Sequence, residues 1–266
     1  MAIIGGIYAP NTPTLIGDLG VRHPATEKAL QDLGERVRAQ STIDAALVVS
    51  PHFVTAQGFG LVGTSEMRQL FDFQGFPPEF YQVRYMPPGA PRVAQQLLSL
   101  CTQALIPAAM TKEWGLDHGA WAPLVHLFPR ADVPIIPLSI CPELGESGHD
   151  ALGKQIQALA HDFNLLLIAT GSLIHRLDLW NRPEPTYPEA ARQYLEGVEN
   201  ALETGDWSGL WRLPRVLRDQ AAPEGGEYPL RVIAGAIPSF RGEILAEEQE
   251  FGAVSLTTVY LEPMPA

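Results

Sequence analysis

Short apolar runs, separated by amphipathic segments, constrain the fold of this chain more than any other feature. The runs are rich in β-branched residues and are bounded by Pro, Gly or Asp, which is typical of buried strands. They are Ile3–Tyr8, Ala45–Val49, Gly58–Val62, Val133–Ile140, Leu165–Thr170, Arg231–Ile237 and Val254–Leu261. Segments with helical periodicity lie between them, at Ala25–Gln40, Ala90–Ala104, Gly148–Asp162 and Glu189–Leu202. Strands that alternate with helices predict an α/β sandwich with one central sheet.

The organisation along the chain favours one domain over residues 1–266. A chain of 266 residues with 46% hydrophobic content can build one large core. The chain contains neither an internal repeat nor a long linker. Several connections between strands are short, so we expect a mixed sheet flanked by helices. Residues 176–229 are helical and Pro-rich, and we predict that they form a lid or a subunit contact.

Composition excludes several classes of partner. The formal net charge is −12 and there is no basic stripe, so the chain would repel a nucleic-acid backbone. No apolar run approaches the roughly 20 residues that a membrane helix needs. The first residues read as a strand and not as a signal peptide, which predicts a cytoplasmic protein. Cys101 and Cys141 are isolated in the sequence, so we expect two packed, reduced thiols.

Three of the seven histidines share one context. His52 follows the predicted strand Ala45–Val49, His175 follows the predicted strand Leu165–Thr170, and His118 stands between a turn and a helix. Side chains just past the strand ends of an open α/β sheet gather in a crevice where ligands bind. A lone histidine is usually a hydrogen-bonded structural residue, but three in matching positions predict a metal or proton-transfer site. The other four are interpreted as structural or solvated.

A metal site for oxygen chemistry also needs a carboxylate donor. Two histidines and one carboxylate hold Fe(II) and leave three adjacent coordination positions open. Glu227 precedes a predicted apolar strand and follows two flexible glycines, which favours it as the donor. Glu224 is the alternative, and a solvated loop acid is the other interpretation of either residue.

Four stretches in order along the chain resemble the class III extradiol ring-cleavage dioxygenases. They are "SPH" (50–52), "GLDHGAWAPL" (115–124), "ATGSLIHRL" (169–177) and "GGEYPLRVIAGA" (225–236). That superfamily includes the protocatechuate 4,5-dioxygenase β subunit and the DOPA 4,5-dioxygenases. The stretch "FDFQGFPPEFYQVRYMPPGAP" (71–91) is similar to the DOPA branch.

The resemblance implies roles for these residues. It implies that His52 is a metal ligand, that His175 is the acid or base that handles the substrate proton, and that His118 helps to orient substrate or oxygen. It implies Glu227 as the carboxylate ligand. It also implies a small aromatic diol and O2 as substrates, and a homo-oligomer, with a dimer as one form.

One position departs from the family pattern. The family has a ligand histidine in the first turn, and the matching residue here is Asn11. An amide oxygen is a weak donor compared with imidazole, so we expect Asn11 to complete the ligand set with reduced affinity for Fe(II). A fold that has lost its metal and serves as a non-catalytic subunit or binder is therefore an alternative, and a Zn(II) enzyme that uses the same crevice is another.

The stretch Trp114–Leu124 combines apolar residues with an acid and an imidazole. Under the dioxygenase interpretation, Asp117 orients the His118 ring and contributes to substrate binding. Trp121 contributes to an apolar wall for a flat aromatic substrate. The alternative for Asp117 is a simple helix N-cap. The function predicted from these residues is a non-haem Fe(II)-dependent extradiol dioxygenase that opens a catechol-like ring.

Overall fold

A computed structural model describes residues 1–180, 182 and 186–264 of the chain. Its strands are β1 (Ile3–Ala9), β2 (Ala45–Val54), β3 (Phe59–Val62), β4 (Ala108–Thr111), β5 (Ile135–Ile140), β6 (Leu165–Thr170), β7 (Phe240–Glu250) and β8 (Val254–Pro263). Its α-helices are α1 (Pro24–Gln40), α2 (Pro91–Gln103), α3 (His118–Leu127), α4 (Gly145–Leu159), α5 (Glu189–Thr204), α6 (Trp207–Trp211), α7 (Arg215–Ala221) and α8 (Tyr228–Ala236).

The strands form one eight-stranded mixed sheet in the order β4-β3-β5-β2-β6-β1-β8-β7. The central strands β5, β2, β6 and β1 are mutually parallel. Antiparallel pairing occurs between β3 and β5, between β1 and β8, and between β7 and β8. The predicted α/β class with a mixed central sheet is confirmed.

Alternation along the central strands builds a hydrophobic core on each face of the sheet. In β2, Leu47 and Val49 face one core, whereas Ala46 and Val48 face the other. Helices α2, α4, α5 and α8 cover the first face and helices α1 and α3 cover the second. The sheet is buried on both sides, which explains why its strands are continuously apolar in the sequence.

The predicted strand Arg231–Ile237 is wrong, because residues 228–236 form helix α8. Pro229 fits the first turn of this helix, and the helix packs against α4 and β6. A short run that is apolar on every side fits a buried helix as well as a buried strand, since neither period is visible in it.

The segment 176–229 is helical where the structure describes it, in α5, α6, α7 and the first residues of α8. Residues 181 and 183–185 of this segment lie outside the described residues. Helix α5 packs against the sheet through the buried side chains of Tyr194 and Val198. Its function as a lid or a subunit contact stays a prediction, as does a homo-oligomeric state. Within the described ranges, none of the helices is long and apolar enough to span a membrane.

Candidate active site

The carboxyl ends of three adjacent parallel strands bring the predicted residues together. Strands β2, β6 and β1 are neighbours in the sheet and run in the same direction. Asn11 lies in the turn after β1, His52 lies near the end of β2, and His175 lies in the loop after β6. This edge of an open α/β sheet is where ligands bind.

A left-handed turn delivers a fourth group, the carboxylate of Glu224, to this edge. Gly225, Gly226 and Glu227 have φ angles of 64°, 62° and 68°. Glycine adopts this backbone region without steric cost, whereas Glu227 must be held in it. A side chain at Gly225 would also collide with Pro51, because its Cβ would lie 2.8 Å from the Cβ of that proline. The turn therefore packs directly against the segment that carries His52.

Glu224 contacts the predicted residues on three sides. Its Oε1 lies 2.8 Å from Nε2 of His52, and its Oε2 lies 3.9 Å from Nδ1 of His175. Burial alone would raise the pKa of the Glu224 carboxyl, but His52, His175 and the nearby amide of Asn11 lower it. The carboxylate is therefore ionised and faces two imidazoles and an amide.

Glu227, the predicted carboxylate ligand, has other partners. Its Oε1 accepts a hydrogen bond from the Tyr194 hydroxyl, and its Oε2 lies 3.0 Å from the Arg218 guanidinium. Both oxygens are thus engaged on the side of helices α5 and α7. The assignment of Glu227 as a ligand stays a prediction, and the geometry favours the alternative, Glu224, because this acid reaches His52. The left-handed turn separates the two acids, and residue spacing does not reveal it.

Asp72 is a site residue to which the sequence analysis assigned no role. Its Oδ2 lies 3.2 Å from Nδ1 of His52, and its Oδ1 lies 2.9 Å from Nδ1 of His118. Oδ1 also accepts a hydrogen bond of 2.7 Å from the backbone N–H of His118. One ligand atom from each of these three residues lies within 4.8 Å of the other two, so the group has the spacing of a metal site. The signal in the sequence was an acid between two phenylalanines, "FDF".

The two carboxylates that flank His52 control its charge. Burial by itself lowers the pKa of His52, but Asp72 and Glu224 outweigh burial and raise that pKa to about 10. The pKa of Asp72 is correspondingly lowered by His118 and His52, although burial opposes this. In the metal-free protein, His52 is therefore a cation between two anions.

Asp117 and Trp121, predicted to bind substrate, make structural hydrogen bonds. Neither has accessible surface. Asp117 caps helix α3 by accepting from the Ala120 N–H at 3.0 Å, and it also accepts from Ser50 and Trp114. Trp121 donates from Nε1 to the Leu70 carbonyl at 2.8 Å. The N-cap interpretation of Asp117 holds, and substrate binding by either side chain stays a prediction.

Gly119 explains how His118 comes so close to His52. A Cβ at this position would lie 2.6 Å from the Ser50 hydroxyl and 2.9 Å from the His52 ring. Without a side chain at Gly119, the start of α3 packs directly on β2, and the centroids of the His52 and His118 rings are 4.2 Å apart. Of the predicted site residues, the structure thus brings together Asn11, His52, His118 and His175, with Glu224 and Asp72 added.

Comparison with known proteins decides the family. Residues 12–261 match the family described as the catalytic LigB subunit of aromatic ring-opening dioxygenase. The chain belongs to this family of extradiol ring-cleavage dioxygenases. The family predicted from the sequence and the assignment as a ring-cleavage enzyme are confirmed.

Several relatives carry names that agree with this assignment. The chain is 34% identical over 241 residues to a 4,5-DOPA dioxygenase extradiol of Beta vulgaris, covering 86% of this chain and 87% of that one. It is 37% identical over 149 residues to a 4,5-DOPA dioxygenase extradiol of Escherichia coli K12, and this match spans 54% of that relative. A crystal structure of an uncharacterized protein from Escherichia coli K12 matches with a TM-score of 0.70 and 26% identity, covering 97% of this chain and 99% of that one.

Proposed function

We propose that this dioxygenase is a non-haem Fe(II) enzyme that opens a catechol-like ring with O2. The observation that carries the proposal is the convergence of His52, Glu224 and Asn11, with His175 beside them, at the ends of three adjacent strands. Non-haem Fe(II) oxygenases use two histidines and one carboxylate with open positions around them, and this site offers one histidine, one carboxylate and the amide of Asn11 in place of the second histidine. A small aromatic diol is the proposed partner.

The unsatisfied polar atoms of the site support a bound cation there. Glu224 Oε2 and His175 Nδ1 are buried, lie 3.9 Å from each other and have no hydrogen-bond partner among the residues that the structure describes. A buried polar atom without a partner destabilises the folded state by about 1–3 kcal/mol, and a bound ion or ligand would remove this cost. Donors of both nitrogen and oxygen type suit Fe(II), and Zn(II) binds the same atoms.

In this proposal His52 and Glu224 hold the metal, and Asn11 completes the protein ligands. When bound, Fe(II) supplies a Lewis acid that favours loss of the diol proton and brings O2 beside the ring. Asn11 contributes a neutral oxygen where the family pattern has an imidazole. The affinity for Fe(II) is therefore lower than in a relative with histidine at this position.

His175 and His118 are the groups that handle protons. The His175 side chain is 28% exposed and the His52 side chain is 27% exposed, so both reach the solvent-facing side of the site. We assign His175 as the base that takes the diol proton, a role worth roughly 10²–10⁴-fold in rate. The His118 ring lies next to the His52 ring, and we assign His118 to proton delivery or to holding the bound oxygen.

An aromatic surface beside His118 suits a flat substrate. The Phe73 ring lies 5.3 Å from the His118 ring in an edge-to-face arrangement, and Phe71, Tyr81 and Phe76 pack around Phe73. Aromatic rings pair with one another at such distances. Because Phe73 is itself buried, the partly exposed rings of Phe71, Phe76 and Tyr81 are the proposed apolar contact for the substrate.

Oxygen uptake tests the proposal. Protein loaded anaerobically with Fe(II) is mixed with catechols, gallate, 2-aminophenol and DOPA in an oxygen electrode. We expect uptake with at least one diol, and a loss of about 10²–10⁴-fold in the His175→Gln variant. Absence of uptake with every compound, under conditions where the Escherichia coli relative is active, would contradict the proposal. Zinc as the metal of the purified protein would favour the alternative Zn(II) enzyme.

Asn11→His is the companion variant. We expect it to bind Fe(II) more tightly and to keep or increase oxygen uptake, because imidazole is the stronger donor. Asn11→Ala is the matched control and should weaken binding. If Asn11→His creates both iron binding and ring cleavage in a protein that has neither, the natural chain is a non-catalytic relative.

A further inference from the structure

Asp72 lies on a loop that is fastened to the start of helix α3. The loop exchanges backbone hydrogen bonds with Leu116, since Leu70 N–H donates to the Leu116 carbonyl at 2.7 Å and Leu116 N–H donates to the Arg68 carbonyl at 2.8 Å. Trp121 adds a bond from its indole to the Leu70 carbonyl. The loop backbone next to Asp72 is therefore fixed to the helix that carries His118.

Asp72 is also the one described residue whose side chain contacts both His52 and His118 through carboxylate oxygens. The two histidines come from different elements, β2 and α3. Oδ2 lies 3.2 Å from Nδ1 of His52 and Oδ1 lies 2.9 Å from Nδ1 of His118, and these are close ionic contacts, since His118 Nδ1 has no aligned hydrogen-bond partner among the described residues. The side chain is only 19% exposed, so water competes weakly for these contacts.

The ring atom that Asp72 contacts in His52 is not the one that Glu224 contacts. Asp72 lies at Nδ1, and Glu224 lies at Nε2. With a metal at Nε2, a carboxylate at Nδ1 favours a proton on that nitrogen and so fixes the orientation of the ring. Histidines that bind metals are generally oriented in this way by a second group on the far nitrogen.

We propose that Asp72 is a positioning residue that sets the ring orientation of both His52 and His118. This inference rests on the proposed function for its catalytic consequence, but not for its structural one. Asp72 acts on the metal and the substrate through the two rings and does not touch the reacting atoms. It would link the aromatic loop, which contacts the substrate, to the histidine that holds the metal.

The test uses Asp72→Asn and Asp72→Glu in the full-length protein, with Glu79→Gln as the matched control, because Glu79 is an exposed acid on the same loop. Nitrogen-15 spectra of the histidine rings come first and need no metal. We expect Asp72→Asn to shift the ring nitrogens of His52 and His118, and to leave those of His149 unchanged because His149 bonds to Cys141 and Gly145 elsewhere. Glu79→Gln should leave all of these rings unchanged.

The second measurement is the affinity for Co(II) or Fe(II), followed by kcat and KM. We expect Asp72→Asn to bind one metal per chain about 10–100-fold more weakly. At saturating metal we expect kcat to fall by a larger factor than KM changes. Asp72→Glu keeps the charge and should recover part of the loss. Thermal unfolding checks that both variants remain folded.

Three outcomes decide the inference. Unchanged ring nitrogens in a folded Asp72→Asn protein would overturn it. Complete loss of metal binding in Asp72→Asn, with binding retained in Glu224→Gln, would also overturn it, because Asp72 would then be a ligand itself. Shifted ring nitrogens in a protein whose wild type binds no metal would uphold Asp72 as a positioning residue and contradict the proposed function.

Discussion

His23 and His52 both contact buried acids, yet the two regions of the molecule have opposite electrostatics. His23 lies 3.9 Å from Glu250, and both side chains are essentially without exposure. Burial lowers the pKa of His23 and raises the pKa of Glu250, so both groups favour their neutral forms. At His52 burial acts in the same direction, but two carboxylates outweigh it and the ring is charged.

The difference shows what turns a buried histidine and acid into a site. His52 has two carboxylates within 3.2 Å of its ring nitrogens and retains access to solvent. The acids around His23, namely Glu250, Glu248 and Glu27, lie 3.9 Å away or farther, and its ring contacts the Thr14 hydroxyl at 3.0 Å. The turn after β1 serves both regions, because Asn11 faces Glu224 and Thr14 faces His23. The two regions contain the same residue types, and the distance between the carboxylates and the ring distinguishes them.

The largest expected effect is on metal affinity, when each of the two histidines is replaced in turn. His52→Ala should reduce metal affinity by more than the roughly 10–100-fold that loss of a residue beside a ligand costs. His23→Ala should leave metal affinity within a few-fold of the wild type. The contacts of His23 are with Thr14 and Glu250, and neither residue is one of the proposed metal donors. Titration with Co(II) measures both. Equal losses in the two variants would contradict the distinction.

The next effect separates the two acids of the left-handed turn. Glu224→Gln should lose metal binding and oxygen uptake while remaining folded. Glu227→Gln removes a charge from the partly buried pair with Arg218, so we expect about 1–2 kcal/mol of destabilisation with metal binding retained. Denaturant unfolding and metal titration on both proteins provide the measurement. Loss of metal in Glu227→Gln alone would restore Glu227 as the ligand.

The smallest expected effect is on how the stability of the protein depends on pH, which differs in sign between Glu250 and Glu224. Burial raises the pKa of Glu250 above its ordinary value of 4.5. The free energy of unfolding therefore decreases as the pH rises above 4.5, because the carboxyl ionises more readily in the unfolded chain. Glu250→Gln removes that cost and should stabilise the protein by about 1 kcal/mol at pH 8. The gain should vanish below about pH 4.5. Glu224, whose pKa is lowered, has the opposite sign, since its contribution to stability is lost as the pH falls.

The fold was largely predictable because the central strands are buried on both faces. Strands such as β2 and β6 are continuous apolar runs in the sequence, and they pair in the middle of the sheet. The edge strand β7 was missed because its sequence, "FRGEILAEEQE", is largely charged and exposed. Helix α8 was mistaken for a strand because all of its sides are apolar.

The site was predictable in part, for a related reason. His52 and His175 follow strands that periodicity identifies, so their meeting at one sheet edge follows from topology, whereas His118 is the first residue of α3 and was placed from the turn before it. The choice between Glu224 and Glu227 depends on three successive left-handed residues and on Arg218, which sequence spacing does not encode. Asp72 reaches the site from a loop without regular structure, and only the packing of that loop on α3 places it there.

The position of the metal is the most direct test of this account. Crystals of protein loaded with Fe(II) or Co(II) under nitrogen give an anomalous signal at the edge of that metal. The account predicts one peak per chain within about 2.2 Å of His52 Nε2 and of a Glu224 oxygen, with Asn11 adjacent. A peak between Asp72 and the Nδ1 atoms of His52 and His118, or no peak in metal-loaded crystals, would contradict it.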